Sequence, residues 1–460
     1  MTIADSAASG ARTQTGAADA APEWSSRAAF IAAAVGSAVG LGNIWKFPYM
    51  AGVSGGGAFV LTYLGFVALV GVPVLIAELL LGRHGGPSIV QALGRMAAGA
   101  RGGRLWNGLG WFVALTALGV LSFYSVVAGW ALAYAAKAAV GGLSALTPQA
   151  STRTFDALLA DPAQMIAWHT LVMGAVVAIV ARGVKGGIER AVRWLMPLLT
   201  ALLVVLAVYA GGVGDFARAV EFLFRPDVSA LTPEVAMAAA GHAFFTLSLG
   251  LGAMMVYGAY VPKSVSIPRA AVWVAAADTV CALLAGLAIF PLVFGFGLDP
   301  AAGPGLIFVT LPVAFAAMPG GAVVGALFFL LIVVAALTSA VALIEPLAAA
   351  LGGAGERRRV WTLRLAAGAW ALGLASVFSF NLWSDVRLFG QTVFDFIAHV
   401  TGDLALPLGG LGFAVFAGWV AGRSLTAADF GSPRVHAAWL LLVRFVAPTV
   451  LALVFLDLLV

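Results

Sequence analysis

Long apolar runs separated by short polar segments set the pattern of this chain. A run of about 18 or more apolar residues can cross a bilayer as a helix. Such runs stand at residues 26–50, 57–82, 106–138, 164–182, 190–211, 234–259, 268–297, 321–350, 360–380, 388–420 and 435–459. The pattern predicts an all-α integral membrane protein with eleven transmembrane helices. The third, seventh, eighth and tenth runs are long enough to tilt. Residues 1–23 are mostly small and polar, which predicts a disordered tail. That stretch lacks the apolar core of a signal peptide.

Two runs are interrupted. The first contains Gly36-Ser37-Ala38-Val39-Gly40-Leu41-Gly42-Asn43-Ile44-Trp45-Lys46-Phe47-Pro48. Glycine is a poor helix former, and Asn and Lys are costly in hydrocarbon. The sixth contains Phe244-Phe245-Thr246-Leu247-Ser248-Leu249-Gly250-Leu251-Gly252. Broken backbone at membrane depth is tolerated only where it is buried in protein or lines a cavity. Its freed carbonyls can hold a cation and its freed N–H groups an anion. Breaks in the first and sixth spans predict a five-plus-five repeat with one helix added. An odd number of spans per repeat makes the second copy inverted. The boundaries are then a tail at 1–23 and a transporter domain at 24–460. The domain divides into a first repeat at 24–212, a second at 213–422 and an eleventh helix at 423–460.

Composition supports the membrane reading. The 460 residues are 62% hydrophobic and 10% charged, with a mean hydropathy of +1.03, which excludes an ordinary soluble domain. The net charge of +5 does not point to nucleic acid, because the basic residues sit in short loops. One set of loops carries Arg83, Arg95, Arg101, Arg104, Arg182, Lys185, Arg190, Arg193, Lys263, Arg269, Arg357, Arg358, Arg359, Arg364, Arg423 and Arg434. The alternate loops carry only Lys137, Arg153, Arg218, Arg225 and Arg387. The positive-inside rule places the first set and the N-terminus in the cytoplasm, and Val460 outside. A single cysteine, Cys281, allows no disulfide framework.

Few residues carry chemistry. Gly40-Leu41-Gly42 lacks the strand and βαβ unit of a nucleotide loop. Gly36 and Gly40 also suit close helix packing, but packing alone would not need Asn43 or Lys46. Thr338 and Ser339 lie within the eighth span. They either bond back one turn or join freed carbonyls around a small hard cation. Asp278, Glu78 and Glu345 fall inside apolar runs, and such groups are functional candidates. Glu78 is expected to pair with Arg83, and Glu345 to satisfy backbone freed at the breaks. Asp278 has no opposite charge nearby in sequence, which leaves a bound cation as partner. Tyr124 and His242 read as core residues. His84, His169, His399 and His436 show no metal spacing. No nucleophile–base pair or metal cluster supports an enzyme.

These motifs occur in an order that resembles the neurotransmitter:sodium symporter family, and specifically its bacterial amino-acid transporters. The resemblance runs from about Trp24 to the eleventh span. It rests on 36–48, Gly55-Gly56-Gly57-Ala58-Phe59, Gly82–Gly86, Arg182-Gly183, Lys185-Gly186-Gly187-Ile188-Glu189-Arg190, 244–252 and Leu337-Thr338-Ser339. It implies two sodium sites. The first would use Ala38, Asn43, Thr246 and Asp278 with the substrate carboxylate. The second would use carbonyls of Gly36, Val39 and Ala335 with hydroxyls of Thr338 and Ser339. The substrate carboxylate would meet Tyr124 and the N–H groups of Leu41 and Gly42. Its ammonium would meet carbonyls of Ala38, Phe245 and Thr246 and the hydroxyl of Ser248. Val120, Tyr124, Phe245, Ser248, Leu251, Ser339 and Leu343 would surround its side chain.

Some positions depart from the family pattern. Lys46 stands where an arginine commonly closes the outer gate. Its partner position falls on Ala398, with Asp395 one turn away as the gate acid. Ala21 and Gly353 replace the usual inner Arg–Asp latch. Asp278 replaces an asparagine. Ala282 stands where chloride-independent relatives keep a glutamate, so Asp278 is expected to supply that charge and make chloride unnecessary. The function implied is sodium-coupled import of a neutral apolar amino acid, aliphatic or aromatic, across a bacterial inner membrane. The partners are then the amino acid, sodium and lipid, and not nucleic acid. A sodium-independent exchanger on the same fold and a non-transporting sensor remain as alternatives. The loop charges generate one direct prediction. A reporter fused after Val460 should be active only when it functions outside the cytoplasm, and cytoplasmic activity would refute the orientation.

Overall fold

The computed structural model describes residues 24–98, 102–103, 105–144, 146–353, 355–421 and 429–457. The tail at 1–23, Arg101, Arg104, Arg423 and Val460 lie outside the described residues. Among the described residues the fold is all-α apart from one small hairpin.

Among the described residues, nine helices are long and apolar enough to cross a membrane. They are Gly57–Gly85, Leu105–Ala139, Pro162–Val180, Val184–Val213, Ile267–Gly295, Gly321–Gly352, Glu356–Phe378, Val393–Val420 and Pro433–Leu453. A tenth is reached if the bent pair Arg27–Ala38 and Gly42–Val53 counts as one span. The expected count of eleven is therefore not met by length and composition. The shortfall is the expected sixth span, which divides into Pro233–Thr246 and Ala253–Ala259. Each half is too short to qualify because the backbone leaves the helix between them.

Both breaks have local causes. The first helix starts at Ser26, whose hydroxyl accepts from Ala29 N–H at 3.1 Å. It ends at Val39, which has extended backbone, and the chain resumes with a 49° bend. The sixth span starts after Thr232 with a proline in its first turn. It stops at Thr246, and Ser248, Gly250 and Gly252 then take positive φ values of 53°, 77° and 74°. Glycine adopts that region freely; Ser248 does not.

Several expected boundaries move. The fifth span starts at Val184 rather than at 190, after Gly183 at φ 77°. The tenth was expected from 388, but Arg387–Leu388 and Gln391–Thr392 form an antiparallel hairpin. Its turn, Phe389-Gly390, has φ values of 50° and 83°, the two positive angles of a type I′ turn. The helix therefore begins at Val393. Short helices at Pro148–Ala160, Phe216–Phe224 and Thr310–Ala317 fall between the expected spans. They are too short to show as membrane runs.

Burial separates interior from periphery. The most apolar windows of Leu105–Ala139 and Gly321–Gly352 are 83% buried, against 33% for Pro162–Val180 and Glu356–Phe378. The third and eighth spans pack along their length at the centre of the bundle. Elsewhere glycines let backbones touch. A Cβ on Gly82 would lie 1.7 Å from the Met255 carbonyl oxygen. One on Gly258 would lie 2.4 Å from that of Leu79. The second span thus crosses the far half of the sixth backbone to backbone. Gly82→Val should lower the thermal midpoint in detergent, because overpacking costs about 1–3 kcal/mol. Gly65→Ala, with open space around its Cβ, should leave the midpoint unchanged.

Candidate substrate and sodium site

The site grows from redirected backbone hydrogen bonds in the first break. In an unbroken helix Gly40 N–H would bond the Gly36 carbonyl. Here it donates to Asn43 Oδ1 at 2.9 Å. Leu41 N–H would bond Ser37; it donates to the Tyr124 hydroxyl at 3.1 Å. Asn43 N–H would bond Val39; it donates to Gly40 at 3.2 Å. The carbonyls of Gly36, Ser37 and Val39 are thereby released from helical duty.

Ser37 O is taken up locally, by the hydroxyls of Ser248 at 2.9 Å and Ser339 at 3.2 Å. Thr338 Oγ1 donates to Ala335 O at 2.9 Å and faces Val39 O at 3.5 Å. Ser339 Oγ lies 3.4 Å from Val39 O. Gly36 sits against Thr338, with a Cβ there 3.5 Å from Thr338 Cβ. The carbonyls of Val39 and Ala335 and the hydroxyls of Thr338 and Ser339 therefore converge as an oxygen-only set, with Gly36 packed beside Thr338. That chemistry fits a hard cation.

A second cluster forms on the other side of the break. Asn43 Nδ2 donates to Asp278 Oδ1 at 2.7 Å and to its carbonyl at 3.0 Å. Thr246 Oγ1 donates to Asp278 Oδ2 at 2.9 Å. Tyr63 OH faces the same oxygen at 3.5 Å. Asp278 is fully buried, and these partners are all neutral. A buried carboxylate without an opposite charge is costly, and a cation would relieve that cost.

Between the clusters lies a small cavity of about 30 Å³ lined by residues including Ala38, Gly42, Val120, Tyr124, Phe245 and Ser248. Leu251, Ser339 and Leu343 also line it, so the structure gathers the sequence-selected pocket residues at one place. Gly40 lines it too, and a Cβ there would lie 2.3 Å from Ser339 Oγ and 2.7 Å from Tyr124 OH. Leu406, from the tenth span, completes the wall and was missed. No periodic or charge signal distinguishes it from any other leucine of that span.

The gate expectation is corrected. Lys46 Nζ lies 3.8 Å from Asp403, not beside Asp395. Asp395 is exposed and closes a turn with Thr392, whose hydroxyl donates to it at 2.6 Å. That is helix capping after the hairpin. Asp403 carried a usable signal, since it is a carboxylate within an apolar run, as Asp278 is. Lys46 also stands over the Phe245 ring at 4.4 Å, between the pocket and a cavity lined by Tyr49, Glu234, His242 and Asp403.

The other two carboxylates exchange their expected roles. Glu78 does not pair with Arg83; its Oε1 accepts Gly250 N–H at 2.8 Å and so satisfies the sixth-span break. Arg83 pairs with Asp429 at 2.7 Å. Glu345 pairs with Arg358 at 2.6 Å and accepts from Tyr260 OH at 3.4 Å. On the face opposite Lys46, Trp24 N–H and Nε1 donate to the carbonyls of Tyr260 and Tyr257. Ser25 donates its backbone N–H, at 3.1 Å, and its hydroxyl to Glu189. These contacts tie down the start of the first helix.

Two interrupted helices that meet at a buried carboxylate, with an oxygen-only cluster beside the first, make the pattern of a secondary transporter. The chain belongs to the sodium:neurotransmitter symporter family, whose model matches residues 21–147 and 154–460. It is 38% identical over 444 residues to the uncharacterized sodium-dependent transporter YhdH of Bacillus subtilis, covering 95% of this chain and 97% of that one. An uncharacterized sodium-dependent transporter of Haemophilus influenzae is 32% identical, covering 94% and 97%. The crystal structure of MhsT in complex with L-phenylalanine matches with a TM-score of 0.87 and 41% identity. That match covers 95% of this chain and all of MhsT. The protein is thus a multi-pass, sodium-dependent membrane transporter and not an enzyme.

The gate geometry can be tested by a double-mutant cycle on sodium-dependent ligand binding. Lys46→Gln and Asp403→Asn should each weaken closure, and the double variant should cost no more than either alone. Asp395→Asn should leave binding unchanged. A full effect from Asp395 and none from Asp403 would reverse the assignment.

Proposed function

We propose that the protein imports a neutral apolar amino acid, aliphatic or aromatic, coupled to two sodium ions across a bacterial plasma membrane. The observation that carries this reading is the position of Gly40. Its missing side chain lets Ser339 and Tyr124 close on the broken backbone, leaving no room there for an acidic group that would pair with an amine. The substrate then brings its own carboxylate, which Tyr124 OH and the Leu41 and Gly42 N–H groups would receive. The apolar wall of Val120, Leu251 and Leu343 suits an uncharged side chain. L-Phenylalanine bound to MhsT supports the same class.

In this reading Ala38, Asn43, Thr246 and Asp278 hold one sodium with the substrate carboxylate. Gly36, Val39, Ala335, Thr338 and Ser339 hold the other. Each ion and the substrate complete one another's coordination. Rocking of the first, second, sixth and seventh spans against the rest then exposes the loaded site to alternate sides. One charge crossing 100 mV supplies about 2.3 kcal/mol. The N-terminus is cytoplasmic and the C-terminus external, and residues 24–212 and 213–422 form the two repeats. Asp278 supplies the negative charge that two cations need, and buried Ala282 offers no group to hold an anion. Chloride is therefore not required.

Two experiments test the reading. Asn43→Ala and Thr338→Ala should each raise the sodium concentration for half-maximal substrate binding by about tenfold or more, the scale on which lost metal-site partners act. Unchanged titrations in both would remove the two-site assignment. Replacing chloride by gluconate at saturating sodium should leave uptake into proteoliposomes unchanged. A large fall would show that Asp278 does not fill the anion's role. Uptake that persists without any sodium gradient would favour an exchanger, and binding without uptake a sensor.

A further inference from the structure

We propose that Leu406 is a specificity-determining residue that sets the upper size limit of the transported side chain. This rests on the amino-acid reading above. Leu406 is 1% exposed and lines the same small cavity as Val120, Leu251 and Leu343, from the side of the tenth span. The cavity, about 30 Å³, is small beside the roughly 300–1,000 Å³ of ordinary ligand sites. An apolar substrate therefore has to displace part of this wall. The part that yields least fixes the limit.

Leu406 is held by backbone, not by side-chain packing alone. A Cβ on Gly250 would lie 2.2 Å from the Leu406 carbonyl oxygen. Reciprocally, a Cβ on Gly409 would lie 2.2 Å from the Gly250 carbonyl oxygen. The first turn after Leu406 thus rests directly on the broken segment of the sixth span, with no side chain between to deform. Gly250 is itself fixed, because its N–H is bonded to Glu78. Leu406 cannot retreat from the pocket unless the tenth span lifts off that segment. It also follows the wide helical turns of His399–Ala405 and precedes Pro407, whose ring restricts the Leu406 backbone. Two terminal methyls at a fixed place make a size filter, since one methylene in an apolar pocket changes discrimination by about 10–200-fold.

The experiment is competitive uptake into proteoliposomes under a sodium gradient, with alanine, valine, leucine, phenylalanine and tryptophan. Leu406→Ala should raise the efficiency ratio of the largest to the smallest accepted substrate by about tenfold or more. Leu406→Phe should lower it by a similar factor. Leu406→Met, which conserves volume, should keep the wild-type order. Leu406→Val should shift the ratio in the same sense as Leu406→Ala and carries the test if the larger truncation does not fold. The same rank order and ratios in every variant that retains sodium-dependent uptake would overturn the role of Leu406 alone. No uptake of any amino acid by the wild-type protein would overturn the importer reading and this proposal with it.

Discussion

A helix broken in hydrocarbon leaves N–H and C=O groups that no water can satisfy, and each left bare costs several kcal/mol. The protein meets this demand from its own interior. Asn43 and Tyr124 take up N–H groups of the first break. Glu78 takes the N–H of Gly250 in the second. Ser248 and Ser339 share the carbonyl of Ser37. After these exchanges the Val39 carbonyl faces two hydroxyls of the eighth span, Thr338 and Ser339, and the three form an oxygen-only group beside the break.

The same economy sorts the buried carboxylates. Glu345 has Arg358 and Tyr260, so its charge is neutralised within the protein. Glu78 has a backbone donor and ties the break to the second span. Asp278 has only neutral donors. Of the three, it is the one with neither an opposite charge nor a backbone donor, and it sits where both broken helices meet, bonded to Asn43 and Thr246.

The sequence shows composition-driven features well and close-range geometry poorly. Both breaks were legible because glycines in an apolar run, joined in the first by Asn43 and Lys46, weaken a membrane helix and suit a broken one. The pocket residues were legible because the family motifs carry them in order. The partners of Glu78, Arg83 and Lys46 were not, since pairs such as Arg83–Asp429 join residues hundreds of positions apart. Nearness in sequence suggested Glu78–Arg83 and Asp395, and tertiary packing chose otherwise. The hairpin at 387–392 was hidden because apolar strand and apolar helix look alike over a few residues. Leu406 was hidden because its place in the cavity wall comes from the glycine contacts beneath it, not from its own identity.

The closures on the two faces of the site differ in kind. Lys46 and Asp403 form an ion pair at 3.8 Å whose side chains are 21% and 44% exposed. Trp24 and Ser25 are held instead by short-range bonds to carbonyls and one carboxylate. Dissolved salt screens a solvated ion pair and has little grip on a buried hydrogen bond. Ionic strength therefore acts more strongly on the Lys46–Asp403 pair than on the buried Trp24 bond. Because sodium is at once the ion on which transport depends and an electrolyte, raising its concentration also screens that pair. The two effects separate only when an inert salt holds the total ionic strength constant.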